Sequence, residues 1–456
     1  MQQKLSLSAY ILVGVMLFAL FFGAGNLIFP ASLGQQAGEN IWQAICGFLI
    51  TGVGLPFLGV LAIGFSGSRD LQELSSRIHP LYAIFFTSAV YLTIGPFFAA
   101  PRTGAVAYDI GIAPFISEGN ESIAMLIFTF LFFLVTLLFS LFPSKIVDNV
   151  GKILTPGIVI LIALLILMVI IKPMGNLATP QEAYATRLTA FFKGFTEGYN
   201  TMDALASLVF AIIVINVLRN MGLKTRSEIL SATFKTSAVA ALLLGSIYVG
   251  IAYLGATSTD ALGLLETGGP VLSGTSEYYF GSIGLIILAV LIILACLTTS
   301  IGLVIACGEY FHSLIPKISY NQFVIFFSIL CFVIANFGLK NIINYSIPVL
   351  MFLYPLAIVL MLLTFLSPLF HHAKLVYVAA TIVTLFISIV DGFKMYYDLF
   401  EKTYPLWLNS LLTLYTNYLP LYNDGLGWLL PVGIVIVITG VLARLFGMGV
   451  KKADAS

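Results

Sequence analysis

Gly23-Ala24-Gly25-Asn26-Leu27-Ile28-Phe29-Pro30 lies inside the first hydrophobic stretch of the chain, near the depth expected for a bilayer midplane. An interior Gly costs about 1 kcal/mol relative to Ala in a helix, and Asn competes for backbone hydrogen bonds. Irregular backbone at this depth is tolerated only where it is buried in protein or lines a cavity. The stretch therefore predicts a helix broken at mid-membrane, with freed peptide groups available to a polar ligand. The competing reading is a packing kink, because Gly and Pro are common in membrane helices.

The surrounding composition supports a membrane setting. Of 456 residues, 60% are hydrophobic and 9% charged, against about 25% charged in soluble domains. Apolar runs of about 20 residues span a bilayer as helices. Twelve are expected, near 8–35, 41–65, 80–108, 121–142, 147–171, 189–218, 234–256, 279–308, 320–337, 343–366, 374–393 and 425–446. No soluble domain fits between them, and 257–278 and 394–424 read as short loops or surface helices. Lys4 ahead of an apolar run imitates a signal peptide, but the run is too long and lacks a small-residue cleavage site. Cys46, Cys296, Cys307 and Cys331 fall in hydrophobic runs and read as small apolar residues. A net charge of +1 without a basic tail offers nothing to nucleic acid.

Loop Lys and Arg residues set the expected orientation. With the N-terminus inside, fourteen fall on the inner side: Lys4, Arg69, Arg77, Lys145, Lys152, Arg219, Lys224, Arg226, Lys235, Lys317, Lys374, Arg444, Lys451 and Lys452. Six fall outside: Lys172, Arg187, Lys193, Lys340, Lys394 and Lys402. Arg102 lies within the third span. The bias predicts a multi-pass protein of the cell membrane with both termini cytoplasmic.

A second span is interrupted. Phe195-Thr196-Glu197-Gly198-Tyr199-Asn200-Thr201-Met202-Asp203 places two acids, an Asn and a Gly inside 189–218. The broken spans are the first and the sixth, so one five-span unit separates them. An odd number of spans inverts the second copy, and matching interruptions in two halves point to a transporter's binding site. The expected organisation is a core over 1–366, with spans 1–5 at 1–180 and the inverted repeat at 181–366. Two further spans and a cytoplasmic C-terminus occupy 367–456.

Gly23-Ala24-Gly25-Asn26 with Phe29-Pro30 resembles the unwound first helix of LeuT-fold carriers. Glu197-Gly198-Tyr199-Asn200-Thr201-Met202-Asp203-Ala204-Leu205-Ala206 resembles the sixth-span motif of the branched-chain amino acid:cation symporters, the BrnQ-type carriers. Pro96-Phe97-Phe98-Ala99-Ala100-Pro101-Arg102-Thr103 in the third span extends the similarity, which runs over essentially the whole chain. The resemblance implies an all-α integral membrane fold of twelve helices, a LeuT-like five-plus-five inverted repeat plus two, in the amino acid–polyamine–organocation superfamily. It also implies symport of leucine, isoleucine and valine with Na⁺ or H⁺. The alternative is a carrier of the same fold for another small neutral amino acid or related solute.

Such a substrate brings a carboxylate, an ammonium and an aliphatic side chain. Backbone N–H groups at a half-helix N-terminus suit the carboxylate, and here those donors are Ala24, Gly25 and Asn26. Carbonyls freed around Phe22–Gly23 and Gly198–Asn200 suit the ammonium, with Tyr199 and Thr201 in the same segment. Peptide groups, rather than a charged side chain, are expected to hold the zwitterion, because a lone charge in the membrane is expensive. Phe and Tyr of spans 3, 6 and 8 supply apolar surface. One methylene is worth about 1–3 kcal/mol, so all three aliphatic substrates should be carried.

Asp203 and Glu197 are the costliest residues of the sixth span, and intramembrane acids are ion or proton sites by default. Competing readings are a helix cap for Asp203 and a wet outer mouth for Glu197. Leu297-Thr298-Thr299-Ser300 puts three hydroxyls inside the eighth span. Back-bonding to the preceding turn accounts for them. A Na⁺ site built from Thr298, Thr299 and Ser300 with carbonyls from Ala19 to Phe22 accounts for them too. By the LeuT-fold resemblance, Thr299 and Ser300 are the favoured pair. A proton would use Asp203 or Glu197 instead, so the coupling ion stays open. Arg102 reads as an outer-gate or carboxylate-attracting residue facing a vestibule, or as a snorkelling or structurally paired Arg. Glu309 and Asp391 read as solvated, and His79, His312, His371 and His372 as loop or span-edge residues.

No Walker A sequence appears, which argues against ATP-driven transport by this chain. An ion channel would lack saturable substrate accumulation, and a sensor would carry an output domain. No nucleophile–base or metal-spacing pattern supports an enzyme. No cofactor, no nucleic acid and no obligatory protein partner is expected beyond membrane lipid and the small-molecule substrate.

Overall fold

A chain with long apolar runs satisfies its backbone in lipid only by coiling or by closing a barrel, and every regular element among the described residues is helical. The computed structural model describes residues 5–448 apart from 118, 143 and 144, with the side chains of 145–155 left out. Lys4, Lys145, Lys152, Lys451 and Lys452, five of the charges used to orient the chain, lie outside the described residues or side chains.

The Ser6 side chain opens α1 (Leu7–Phe21) by accepting from the Ala9 amide at 3.2 Å. Then α2 (Ala24–Ala37) follows after two non-helical residues. A wide π turn at Ile50–Gly54 joins α3 (Ile41–Leu49) to α4 (Leu55–Ser66). A short α5 (Leu71–Ser76) precedes α6 (Pro80–Leu92), which passes through Thr93–Phe97 into α7 (Ala99–Gly111). Next come α8 (Glu121–Leu141), α9 (Lys145–Ile171), α10 (Arg187–Glu197) and α11 (Asp203–Asn220). The chain continues as α12 (Arg226–Leu262), α13 (Gly268–Leu314) and α14 (Tyr320–Ala335). It closes with α15 (Leu339–Leu366), α16 (Lys374–Leu399), α17 (Leu406–Tyr418) and α18 (Leu429–Leu445).

Among the described residues, eight helical stretches are long and apolar enough to cross a membrane. Four shorter apolar helices, Leu7–Phe21, Pro156–Ile171, Tyr320–Ala335 and Leu429–Leu445, accompany them. Large apolar side chains such as Leu12, Leu126, Leu242, Ile283 and Phe386 point outward, as a lipid-facing surface requires. The core is assembled from α2 against α12, α7 against α13, α3 against α10 and α4 against α11.

Several boundaries differ from the hydropathy reading. The helix expected from 234 starts at Arg226, because Thr225 and Glu228 form a capping box: the Glu228 amide donates to Thr225 Oγ1 at 3.2 Å and the Thr225 amide to Glu228 Oε2 at 3.1 Å. Its first turns are polar, so apolar content misses them. The segment 257–278 is largely helical: α13 begins at Gly268 and bends at Gly281 (φ 60°, ψ −159°). Its first arm packs on α2, where a Cβ added at Gly268 would sit 1.9 Å from the Ile28 carbonyl oxygen. The segment 394–424 holds the end of α16 and the surface helix α17. The third span is also irregular, with Gly95 outside helical geometry (φ −97°, ψ −121°).

Asp391 corrects the sequence reading. It lies near the end of the expected span but is buried, because α16 runs on to Leu399 and α17 and the Tyr422 turn cover that end. Glu309 and the four His residues are exposed.

Candidate functional site

The first break is built by Phe22 and Gly23. Phe22 (φ −71°, ψ 96°) and Gly23 (φ −130°, ψ −168°) are extended, so α1 cannot continue into α2. The Gly23 amide donates to Asn26 Oδ1 at 2.8 Å instead of serving a carbonyl of α1. The last carbonyls of α1 therefore lack following-turn amides, and the Ala24 and Gly25 amides lack a preceding turn, whereas the Asn26 amide donates to the Gly23 carbonyl at 3.2 Å. Opposite partial charges meet at this point, positive on the α2 side.

The second break is tighter. After α10 the chain makes a 3₁₀ turn at Gly198–Thr201, and Met202 adopts a left-handed conformation (φ 63°, ψ 5°) before α11 starts. That conformation costs a non-Gly residue about 1–2 kcal/mol, and such strain concentrates where a site over-determines the backbone. Thr51, in the π turn, donates its hydroxyl to the Phe195 carbonyl at 2.7 Å and so satisfies the end of α10. Gly198 is needed there, since a Cβ would sit 2.0 Å from Thr51 Oγ1. Thr201 Oγ1 donates to the Gly198 carbonyl at 3.0 Å, and the Met202 amide to the Tyr199 carbonyl at 3.0 Å.

One carboxylate ties the breaks together. Asn26 Nδ2 donates to Asp203 Oδ2 at 2.6 Å, and the Tyr248 hydroxyl of α12 donates to the same oxygen at 2.8 Å. Asn26 Nδ2 also contacts the Tyr248 hydroxyl oxygen. All three side chains are buried. Asp203 sits in the first turn of α11, where the helix dipole favours an acid.

A cavity of about 50 Å³ opens between the breaks, with room for a few waters. Gly23, Ala24, Gly25 and Asn26 line one side, Thr201, Met202 and Asp203 another. Leu20, Phe21, Ala206 and Phe210 provide apolar wall, and Ile94, Ala99, Arg102 and Thr103 of the bent third span face it with Thr299 and Leu303 of α13.

The expected site residues divide accordingly. Gly198 packs on Thr51, Tyr199 stacks on Tyr354 with ring centroids 4.1 Å apart, and Asn200 offers its carbonyl to Arg102, so none of these lines the cavity. Glu197 pairs with Lys193 at 2.7 Å and accepts from Asn200 Nδ2 at 2.8 Å, partly exposed. Thr299 lies beside Gly23 at the cavity. Thr298 donates back to the Ala295 carbonyl at 2.9 Å, and buried Ser300 accepts from Thr136 at 3.4 Å. Ala19 and Phe22 sit beside the lining residues Leu20, Phe21 and Gly23.

Arg102 differs most from expectation. It is 4% exposed rather than in a vestibule, and Nη1 donates to the Asn200 carbonyl at 2.8 Å. Its guanidinium lies 5.0 Å from the Phe29 ring centroid. A charged side chain thus stands where peptide groups alone were anticipated. The Gly95-Pro96 pair carried the available signal, since it bends the span just before Arg102. Tyr248 is a further addition, and an unbroken apolar helix such as α12 gives no local sign of it.

The protein comparisons agree with one another. Residues 6–446 match the family of branched-chain amino acid transport proteins. The chain is 46% identical to the branched-chain amino acid permease BrnQ of Bacillus subtilis (strain 168), over 98% of this chain and 99% of the relative. It is 48% identical to the permease BraB of the same organism, over 98% of each. In fold it is similar to MhsT in complex with L-phenylalanine (TM-score 0.56, 16% identity, 97% of this chain and 99% of that one). It is likewise similar to Mhp1 in an inward-facing conformation (TM-score 0.59, 13% identity, 98% and 93%). With a family match across nearly its full length and relatives close to half identical, the chain belongs to the branched-chain amino acid transport protein family.

Proposed function

We propose that this protein is a secondary active symporter that imports leucine, isoleucine and valine, coupled to Na⁺ or H⁺, by alternating access. The observation that carries the reading is the cavity bounded by two helix breaks, which are joined by the Asn26–Asp203 bond. Family membership and the permease names of the relatives support the substrate class. Peptide amides at Ala24 and Gly25 suit a carboxylate, the carbonyls freed at the end of α1, beside Phe21 and Gly23, suit an ammonium, and Phe21, Ala206 and Phe210 suit an aliphatic chain. The fold neighbours support a LeuT-like core over 1–366, written as spans 1–5 and an inverted spans 6–10, with two further crossings after it. We place twelve crossings in the cell membrane, with both termini cytoplasmic, and assign the chain no enzymatic activity and no cofactor.

Two ion sites fit the geometry. Thr299 with carbonyls at the end of α1 suits Na⁺, a hard cation that takes oxygen ligands. Asp203, held by Asn26 and Tyr248, suits a proton. Either ion drives import only by favouring the substrate-binding state through differential affinity.

The test is leucine uptake into proteoliposomes, first under an inward Na⁺ gradient at equal pH and then under an inward proton gradient without Na⁺. One arm should accumulate leucine against its gradient, and isoleucine and valine should compete. Failure of both arms, or a conductance without saturation, overturns the symport reading.

A further inference from the structure

We infer that Arg102 is the side-chain ligand for the carboxylate of the transported amino acid; this rests on reading the cavity as the amino acid site. Arg102 is buried at the cavity wall. Among the described residues its side chain makes one hydrogen bond, from Nη1 to the Asn200 carbonyl, and a contact with the Phe29 ring. Among the described residues no carboxylate comes within 4.0 Å of it. A guanidinium carries five donors and does not deprotonate, and a buried charge is costly unless paired.

Its position makes the lack of a direct salt bridge more telling. A Cβ built on Gly25 would lie 2.7 Å from Arg102 Nη2, so the guanidinium abuts the first turn of α2. Two positive ends face each other there, the side chain and the half-helix N-terminus. Asp203 attracts the guanidinium through space without reaching salt-bridge distance, and its Oδ2 is engaged by Asn26 and Tyr248. An anion bound between Arg102 and the amides of Ala24 and Gly25 would satisfy both, and a carboxylate matches the fork of a guanidinium. Turning the guanidinium toward that anion would release the Asn200 carbonyl it now holds. Gly25 is therefore a space requirement: any side chain there occupies the guanidinium's place.

The experiment compares leucine with leucinamide, which keeps the ammonium and side chain but replaces the carboxylate with a neutral amide. Binding to the purified full-length protein is measured for wild type, R102Q and R102K, with thermal melting as the check on folding. Wild type should prefer leucine by about 100-fold, the scale of a charge-assisted bidentate pair. R102Q should lose most of its leucine affinity, leave leucinamide within about twofold, and so erase the preference. Should R102Q fail to fold, R102K reads the same contrast, with leucine weakened about tenfold and leucinamide unchanged. Equal weakening of both ligands assigns Arg102 a packing role and overturns the inference. Tighter binding of both by R102Q makes the guanidinium an occupant of the ammonium position and overturns it too. Wild type that binds leucine while R102Q binds it equally well defeats this inference alone. Wild type that binds no leucine defeats the amino acid reading with it.

Discussion

Asn26 and Asp203 are 177 residues apart in the chain and joined by a hydrogen bond of 2.6 Å. Each belongs to the first turn of a helix that starts beyond a break, α2 in one case and α11 in the other. The bond fixes the two half-helix starts relative to each other, and the same Asn26 side chain shapes the first break through Gly23. One residue therefore organises the local backbone and the long-range contact.

Asn26→Leu removes both roles. It leaves a buried carboxylate short of a donor, which costs about 1–3 kcal/mol or more, and frees the Gly23 amide. Leucine uptake in proteoliposomes should fall to background while the protein remains monodisperse. Gly25→Leu should do the same, since its Cβ would lie 2.7 Å from Arg102 Nη2. Unchanged uptake in either variant would remove the breaks from the transport site.

Tyr248→Phe takes one of two donors from Asp203 and leaves Asn26 in place. The thermal midpoint should drop by an amount equivalent to about 1–3 kcal/mol, with uptake reduced rather than lost. A midpoint equal to that of wild type would mean that the hydroxyl carries no part of the network.

Thr299 and Thr298 are adjacent but not equivalent. Thr299 faces the cavity beside Gly23, whereas Thr298 spends its hydroxyl on the Ala295 carbonyl. If Na⁺ drives uptake, Thr299→Val should raise the Na⁺ concentration for half-maximal transport about fivefold or more, one lost oxygen ligand being worth about 1 kcal/mol. Thr298→Val should shift it less than about twofold. A reversed order would move the cation site away from Thr299.

Gly198→Ala places a methyl 2.0 Å from Thr51 Oγ1 and 2.9 Å from the Phe48 carbonyl oxygen. Overpacking of this kind costs about 1–3 kcal/mol, visible as a lower melting midpoint. Thr51→Ala alone should also destabilise, by loss of its bond to Phe195. The double variant should show less than the sum, because both changes act on one contact. Simple additivity would show that the two positions do not interact.

The two breaks were legible in the sequence because Gly, Asn and an acid each weaken a helix or cost free energy inside a hydrophobic run, and here they cluster. Helical geometry fails at Phe22–Gly23 and again across the 198–201 turn and Met202, so the first break falls just ahead of Ala24–Asn26, which already belong to α2. Asp203 was visible for the same reason, as an expensive group that needed a partner. Its partner Tyr248 was not, because one Tyr in a long apolar helix matches ordinary packing. Arg102 was noticed but misplaced: its depth depends on the bend at Gly95, which turns α7 inward, and a hydropathy window averages over that bend. Polar helix starts such as Thr225–Glu228 were lost to the same averaging, and the burial of Asp391 depends on what α17 and the Tyr422 turn cover.

The arm of α13 ahead of Gly281 rests backbone to backbone on α2, with Gly268 against Ile28 and no space for even a methyl between them. Helices in such contact cannot slide past side chains, as ordinary ridges and grooves do. A tilt of the half-helix after Gly23 would carry this arm along with it. The arm and the cavity-lining start of α2 would then form one mechanical part, hinged where Gly281 lets the chain turn.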